Sequence, residues 1–417
     1  MLWRGDSRLS VRPTARGWQA LAAGVVTLFV ARLIGTTQFH QLAYALLALP
    51  LASLVLGVIG SRGLRYSRVL PLGARITAGD PAKVSLLLER SRFAAAKAGV
   101  VDRLPGPRSF EFPSPRGRLG SRIEAPLDFA RRGVYELGPA EVRVADPFGL
   151  LGFARRFEQR MEVVVYPKTH DLWGFLPRGG NVDAGARGSR GRRGEEFAGL
   201  REYRRGDDRR HIHWKSVART GELFVKEFSL QAPRRHTVVL DLRREGIRTQ
   251  ETEVEDAVSA AASVLAHLTR ERLPVRLLST DRDGASTQFG ADEASYWETM
   301  RLLATVRADG TSPLGEALLA ERGSLGEGVV IVSRTRDEEL PASVRKLKET
   351  GLSVIVVAIA THTYRTPPGS GGASQSREAD FLRSLARLEA AGAAVRVVSH
   401  PAGVGGLSGN REMGAVR

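Results

Sequence analysis

The sequence predicts a multidomain protein: an N-terminal transmembrane helical hairpin, an antiparallel β-sandwich-like domain, and a C-terminal α/β domain. Three observations predict it. Two long apolar runs stand close together near the start, short alternating stretches broken by Gly and Pro fill the middle, and strand-like and helix-like runs alternate after Pro233. The length of 417 residues suits two or three domains. The predicted boundaries are 1–62 for the anchor, 63–170 for the β domain, 171–232 for a basic loop and a charged segment, 233–402 for the α/β domain and 403–417 for a tail.

The two apolar runs read Trp18–Gly35, whose only charge is Arg32, and Leu42–Gly60, which has none. At about 1.5 Å per residue each can cross about 30 Å of hydrocarbon. Pro50 is tolerable there, because neighbouring groups can satisfy the carbonyl it frees. The connector 36–41 is short, so both ends of the hairpin must lie on one side. Arg4, Arg8, Arg12 and Arg16 precede the first run, and Arg62, Arg65 and Arg68 follow the second. The positive-inside bias then predicts a multi-pass protein of the inner (plasma) membrane, with the N-terminus and the soluble domains in the cytoplasm. Contact with an anionic leaflet accounts for part of the +17 formal charge. With no Cys, disulfide and thiolate chemistry are excluded.

Within the middle, Ala82–Leu88, Arg122–Phe129, Glu141–Val144 and Glu162–Tyr166 alternate as half-buried strands do, and turn residues recur every 8–12 positions or so. A helix is expected only at 92–98. The run Arg131–Pro139, with Asp146–Leu150 after it, reads as a strand, a turn and an ordered loop, explained by turn chemistry alone. Residues 172–193 are rich in Gly and Arg and low in apolar anchors, as a mobile loop would be. Arg190, Arg192 and Arg193 make an anionic-lipid or nucleic-acid binder an alternative, but no aromatics interleave to stack bases, and no specific nucleic acid is expected.

The α/β part predicts strands at 235–241, 274–279, 328–333, 352–359 and 394–398, with helices at 254–268, 296–306, 340–350 and 381–391. A loop is expected at 365–375 and fraying after His400. Continuous apolar strands alternating with helices imply a mostly parallel sheet covered on both faces. Ligands in such sheets sit beyond the carboxyl ends of the strands, here Asp241, Ser279, Thr280, Ser333 and Arg334.

Between the β and α/β parts lies Gly194–Phe228, dense in charges and aromatics. Unpaired buried charge is costly, so these groups must satisfy one another or a partner. One expectation is a salt-bridged brace between domains, with Arg201, Arg210 or Arg219 pairing with Glu202, Asp207 or Asp208, and Trp214 filling a gap. Another is a docking surface, where Trp, Tyr and Arg commonly anchor partners. The alternative chemistry is a metal-dependent hydrolase using Asp207, Asp208, His211 and His213, the two histidines sharing one face of a strand. It lacks His-Glu-x-x-His spacing, and nearby Arg side chains compete for the acids. No catalytic residue is predicted.

Phe197, Leu200-Arg201-Glu202-Tyr203, Gly206-Asp207-Asp208, Arg210, Ile212-His213-Trp214, Ala218-Arg219, Leu223 and Lys226-Glu227, followed by Val238–Asp241, form a long and specific pattern. In it the chain resembles the bacterial domain of unknown function 58 family. The resemblance implies a von Willebrand factor A-like (Rossmann-like) domain, a preceding β domain and a membrane anchor. It also implies a link with MoxR-type AAA+ ATPases, and so a scaffold or adaptor role in the assembly or maturation of complexes. Factor A domains often bind Mg²⁺ through Asp-x-Ser-x-Ser, a Thr from a second loop and an Asp from a third. Here Arg243 stands at the first Ser position after Asp241, Thr311 fits the second loop, and Ser333-Arg334-Thr335 stands where the third-loop Asp belongs, with Asp337 later. A guanidinium there repels a cation and can pair with Asp241, so a degenerate site without metal or other cofactor is expected.

Overall fold

The computed structural model describes residues 9–71, 73–89, 98–113, 120–172, 174–175, 195–204, 211–230, 234–244, 251–334, 337–364 and 371–408. The chain divides into two compact units, 1–168 with 300–305, and 169–299 with 306–417.

The first unit opens with β1 (Leu9–Pro13), then α1 (Ala15–Ile34) and α2 (Thr37–Arg62). Thr14 caps α1 by accepting from Gly17 N–H, and Gly35 ends it in the left-handed region (φ 75°), which favours glycine. Both helices are long and apolar enough to cross a membrane. Only 17% of the most apolar window of each is buried, whereas the core helix of a soluble domain would be mostly buried. Helix α2 runs through Pro50 without a break. The residues just before the hairpin, expected only as a basic flank, instead form a strand.

The remaining strands of this unit are β2 (Arg65–Val69), β3 (Ile76–Thr77), β4 (Ala82–Glu89), β5 (Ala98–Arg103), β6 (Pro107–Phe112), β7 (Gly120–Leu127), β8 (Gly133–Leu137), β9 (Ala140–Ala145), β10 (Leu151–Phe157) and β11 (Met161–Tyr166). They form three sheets, ordered β1-β10-β9-β5-β6, β2-β4-β7 and β3-β11-β8. All pairs are antiparallel except β3 with β11. Side chains alternate along each strand. One face delivers Tyr66, Leu86, Leu127, Leu137, Val142 and Val165 to a single core shared by the three sheets. The helix expected at 92–98 falls outside the described residues except for Ala98, which opens β5.

Inside that core Arg68 and Asp102 form a bidentate pair, Nε to Oδ2 at 2.8 Å and Nη2 to Oδ1 at 2.7 Å. Arg68 Nη1 donates to Gln159 O at 2.7 Å, and Tyr66 OH donates to Asp102 at 2.5 Å. Gly138 (φ 98°) makes room: a Cβ there would lie 2.6 Å from Gln159 O and 2.9 Å from Arg68 Nη2.

The second unit begins with a hairpin of β12 (Glu195–Glu202) and β13 (Phe224–Leu230), with α3 (Trp214–Thr220) in the connection. A five-stranded parallel sheet follows. The elements in order are β14 (His236–Leu240), α4 (Glu251–Arg270), β15 (Val275–Ser279), α5 (Glu293–Thr305), whose residues 300–305 count with the first unit, α6 (Leu314–Ala320), β16 (Gly328–Ser333), α7 (Leu340–Glu349), β17 (Ser353–Ile359), α8 (Thr361–Tyr364), α9 (Gly371–Ala390) and β18 (Ala394–Val398). Strand order is β15-β14-β16-β17-β18, all parallel. Val239, Leu278, Val329, Ile331, Val354 and Val356 share one face with residues of α6, α7 and α9. The alternate residues turn to the opposite face, where α4 packs on β14 to β17. The α/β expectation is met, with two corrections. Gly371–Gln375, expected in a loop, are helical and begin α9. After His400 the chain does not fray at once, because Val404 and Leu407 are buried within a short 3-10 turn, Val404–Ser408.

Candidate functional site

The carboxyl ends of β14, β15 and β16 converge on a compact polar cluster. Asp241 follows β14 and is fully buried. Its Oδ1 accepts from Arg243 N–H at 3.1 Å and lies 3.4 Å from Thr280 Oγ1, which follows β15. Thr280 Oγ1 also accepts from Leu242 N–H at 2.9 Å. The loop before α6 is stitched to the same place, Gly310 N–H to Leu242 O at 3.2 Å and Arg244 N–H to Gly310 O at 2.9 Å. Only glycine fits there, since a Cβ on Gly310 would lie 1.6 Å from Thr280 O.

The third loop closes the cluster from the other side. Arg334 follows β16 with its side chain wholly buried. Its Nη1 donates to Glu253 Oε1 at 2.8 Å and its Nη2 to Arg243 O at 2.8 Å. Arg334 Nε has no hydrogen-bond partner among the described residues. Arg243 reaches Asp337, with Nη1 4.0 Å from Oδ2. Asp337 in turn accepts from Gly315 N–H at 3.1 Å and Glu339 N–H at 3.0 Å, holding the start of α6 against the approach to α7.

The oxygen set implied by the sequence resemblance does not fit these residues. Asp241 is committed to a backbone N–H and lies beside a hydroxyl, and the Arg243 guanidinium stands beside the Asp337 carboxylate. A divalent ion would meet positive charge where it needs oxygen donors. Thr311, placed beside the site by sequence, is exposed one residue past Gly310. Among the described residues no group of three or more His, Cys, Asp or Glu is placed to hold a metal ion. Two partners of the cluster are not assigned by sequence alone. Glu253 leaves a signal, being an acid at helical spacing with the buried Ala257, Ala261, Val264 and Leu268 of α4. Asp337 is visible only as an acid a few residues past the third-loop position, because its place depends on the path of the loop.

The charged segment has a different character. Strands β12 and β13 pair antiparallel in the register Arg201↔Val225, Leu200↔Lys226 and Gly199↔Glu227, with an irregularity between Phe197 and Gly199. Gly206, Asp207, Asp208 and Arg210 lie outside the described residues, so the pairings expected of them do too. Glu202 and Arg219 are exposed, and Tyr203 is half-buried with its N–H bonded to Leu223 O at 2.8 Å. Ile212 is buried and bridges Val225. His211 and His213 do not share a strand face: His211 is exposed, whereas His213 precedes α3 with Nδ1 2.7 Å from Ser216 Oγ. Trp214 fills no gap. It is 64% exposed, the most exposed large hydrophobic side chain among the described residues outside α1 and α2. Lys215 and Arg219 are exposed on the same short helix.

A family model described as "Protein of unknown function DUF58" matches residues 199–295. The match runs from β12 into the start of α5, and so takes in both Trp214 and Asp241. The chain is also similar to the uncharacterized protein YeaD of Bacillus subtilis (strain 168), 24% identical over 331 residues, covering 73% of this chain and 81% of that protein.

Proposed function

We propose that this chain is a membrane-anchored cytoplasmic scaffold or adaptor, whose von Willebrand factor A-like α/β region recognises a MoxR-type AAA+ ATPase or its client during the assembly of protein complexes. The observation that carries this reading is the exposure of Trp214 beside Lys215 and Arg219. A large aromatic left in water on a basic helix gains most by entering a partner's pocket. It lies within the residues that the family model matches. The polar cluster at the sheet's carboxyl end supports recognition over catalysis, because its charges are used to tie loops together.

The hairpin of α1 and α2 supplies the anchor. Strand β1 precedes it and β2 follows it, and both belong to the β-rich unit, which supports a hairpin with both ends on one side. The arginine-rich flanks favour the cytoplasmic side.

The test is recovery of partners from solubilised membranes with the full-length chain under ATP-trapping conditions. An AAA+ ATPase should be recovered, and Trp214→Ala should weaken its capture by about 30-fold, corresponding to about 2 kcal/mol for an aromatic anchor. Failure to recover any such ATPase, or equal capture by Trp214→Ala, overturns the reading.

A further inference from the structure

The loop Asp146–Leu150 joins β9 to β10, and turn chemistry alone does not account for its contacts. Asp146 is buried and its carboxylate accepts three hydrogen bonds. One comes from its own loop, Phe148 N–H at 2.8 Å, one from the first residue of β10, Leu151 N–H at 2.6 Å, and the third from the Ser53 hydroxyl of α2 at 2.8 Å. On α1, Thr14 N–H donates to Leu150 O at 2.9 Å and its hydroxyl lies 2.8 Å from Gly149 O and 2.9 Å from Leu150 O. Gly17 lets the loop come close, since a Cβ there would sit 2.2 Å from Leu150 O. One turn below Ser53, a Cβ on Gly57 would sit 2.0 Å from the Phe153 ring of β10. The loop is therefore fixed at a definite level of both helices.

That level can be counted twice. From Thr37 to Ser53 the rise is about 24 Å, and from Gly17 to Ile34 about 26 Å. Both place the loop about 24–26 Å from the hairpin tip, just short of the thickness of a hydrocarbon layer of about 30 Å. At that level Phe148 is 47% exposed and Trp18 is 63% exposed. Arg16 is exposed close by, its Nη1 4.0 Å from where a Cβ on Gly149 would sit, and it has no ion pair among the described residues.

We propose that the Asp146–Leu150 loop is a membrane-contact element, with Phe148 seated at the border between acyl chains and headgroups, Trp18 at the same level of α1 and Arg16 facing lipid phosphate. The β-rich unit is then pressed against the bilayer instead of hanging below it on a tether. Amphipathic and aromatic groups favour this border, and Arg gains there from anionic headgroups. The proposal rests on the membrane-spanning reading of α1 and α2.

The chain has no cysteine, so single-cysteine probes need no background changes. Phe148→Cys, Val25→Cys in the middle of α1 and Leu382→Cys on α9 would each be spin-labelled in the full-length chain, in vesicles containing phosphatidylglycerol. Collision with oxygen is then compared with collision with a water-soluble nickel chelate. The Phe148 probe should favour oxygen several-fold over the Leu382 probe, and less strongly than the Val25 probe. Arg16→Cys should report the same depth as Phe148→Cys, which guards against a local disturbance of the loop. If the Val25 probe is lipid-embedded while the Phe148 and Arg16 probes match Leu382, the inference fails and the hairpin still spans. If the Val25 probe also matches Leu382, the spanning reading fails and the inference with it.

Discussion

Among the described residues two arginine–carboxylate pairs lie fully buried, one in each unit, and they are built to different standards. In the β-rich unit Arg68 meets Asp102 through two hydrogen bonds, a backbone carbonyl takes a third N–H, and Tyr66 completes the carboxylate. In the α/β unit Arg334 meets Glu253 through one contact, gives a second N–H to Arg243 O, and leaves Nε without a partner among the described residues. Burying a guanidinium costs several kcal/mol, which is recovered only when geometry and remaining hydrogen bonds are good. The first pair meets that condition and joins β2 to β5. The second does not, and it sits where ligands of parallel sheets bind. A clamp whose donors are all used fixes a fold. One with a donor to spare ties the loops that follow β14 and β16 to α4.

The contrast can be tested most severely by removing one partner of each pair. Arg68→Met leaves Asp102 buried without its cation and should cost about 3–5 kcal/mol, whereas Arg334→Met should cost about 2–3 kcal/mol. Hydrogen exchange of peptides spanning 65–103 and 236–243 reads the two units separately. Equal losses would erase the distinction. Replacing both partners by apolar residues sharpens it. Arg334→Met with Glu253→Leu should recover part of the loss of Arg334→Met alone, the Arg243 carbonyl being left without that donor. Arg68→Met with Asp102→Leu should stay destabilised by about 1–3 kcal/mol, because the Tyr66 hydroxyl and Gln159 carbonyl are then left unmatched.

Asp337→Ala should have a smaller effect, about 1 kcal/mol, since it removes the acceptor for Gly315 and Glu339 N–H. The loss should appear as faster exchange in α6 and α7, with the peptides of the β-rich unit unchanged. Acid should act on the α/β unit selectively. Burial holds His236 and His267 below the ordinary histidine range. The unfolded chain therefore takes up protons near pH 6.5 that the folded chain refuses, so stability is intact above about pH 6.5 and falls as the pH drops below it. Unfolding followed from pH 7.5 to 5 should show this slope, reduced by His267→Gln. The least effect on stability belongs to Trp214→Ala, within about 0.5 kcal/mol of the parent because the side chain is exposed. A larger loss would mean that Trp214 supports the fold.

Much of the α/β unit was legible because its strands are buried on both faces. Gly328–Ser333 reads as a continuous apolar run with clear ends and coincides with β16, and Ala394–Val398, though interrupted by Arg396 and only half-buried, coincides with β18. Strand β1 was not legible, since Leu9-Ser-Val-Arg-Pro is short, exposed throughout and takes its order from β10 far along the chain. The start of α9 was hidden by Gly and Ser, whose local preferences tertiary context overrode. At the site, Asp241 could be named from its place at the end of a strand and Arg243 from the family resemblance, which also pointed to the third loop. Which carboxylate meets which guanidinium could not be, because helical or strand periodicity says nothing about how a loop turns. The exposure of Trp214 was likewise invisible, as a tryptophan among charges reads equally as filler or as anchor.

Strand β1 has a consequence for how the protein is made. Leu9 pairs with Arg155 and Pro13 with Leu151, so this strand leaves the ribosome long before its hydrogen-bonding neighbour exists. Everything between them is synthesised first, including the two apolar helices. The five-stranded sheet of the β-rich unit can close only once Leu151–Phe157 have been made, which makes its completion a late event of synthesis that follows the emergence of both apolar helices.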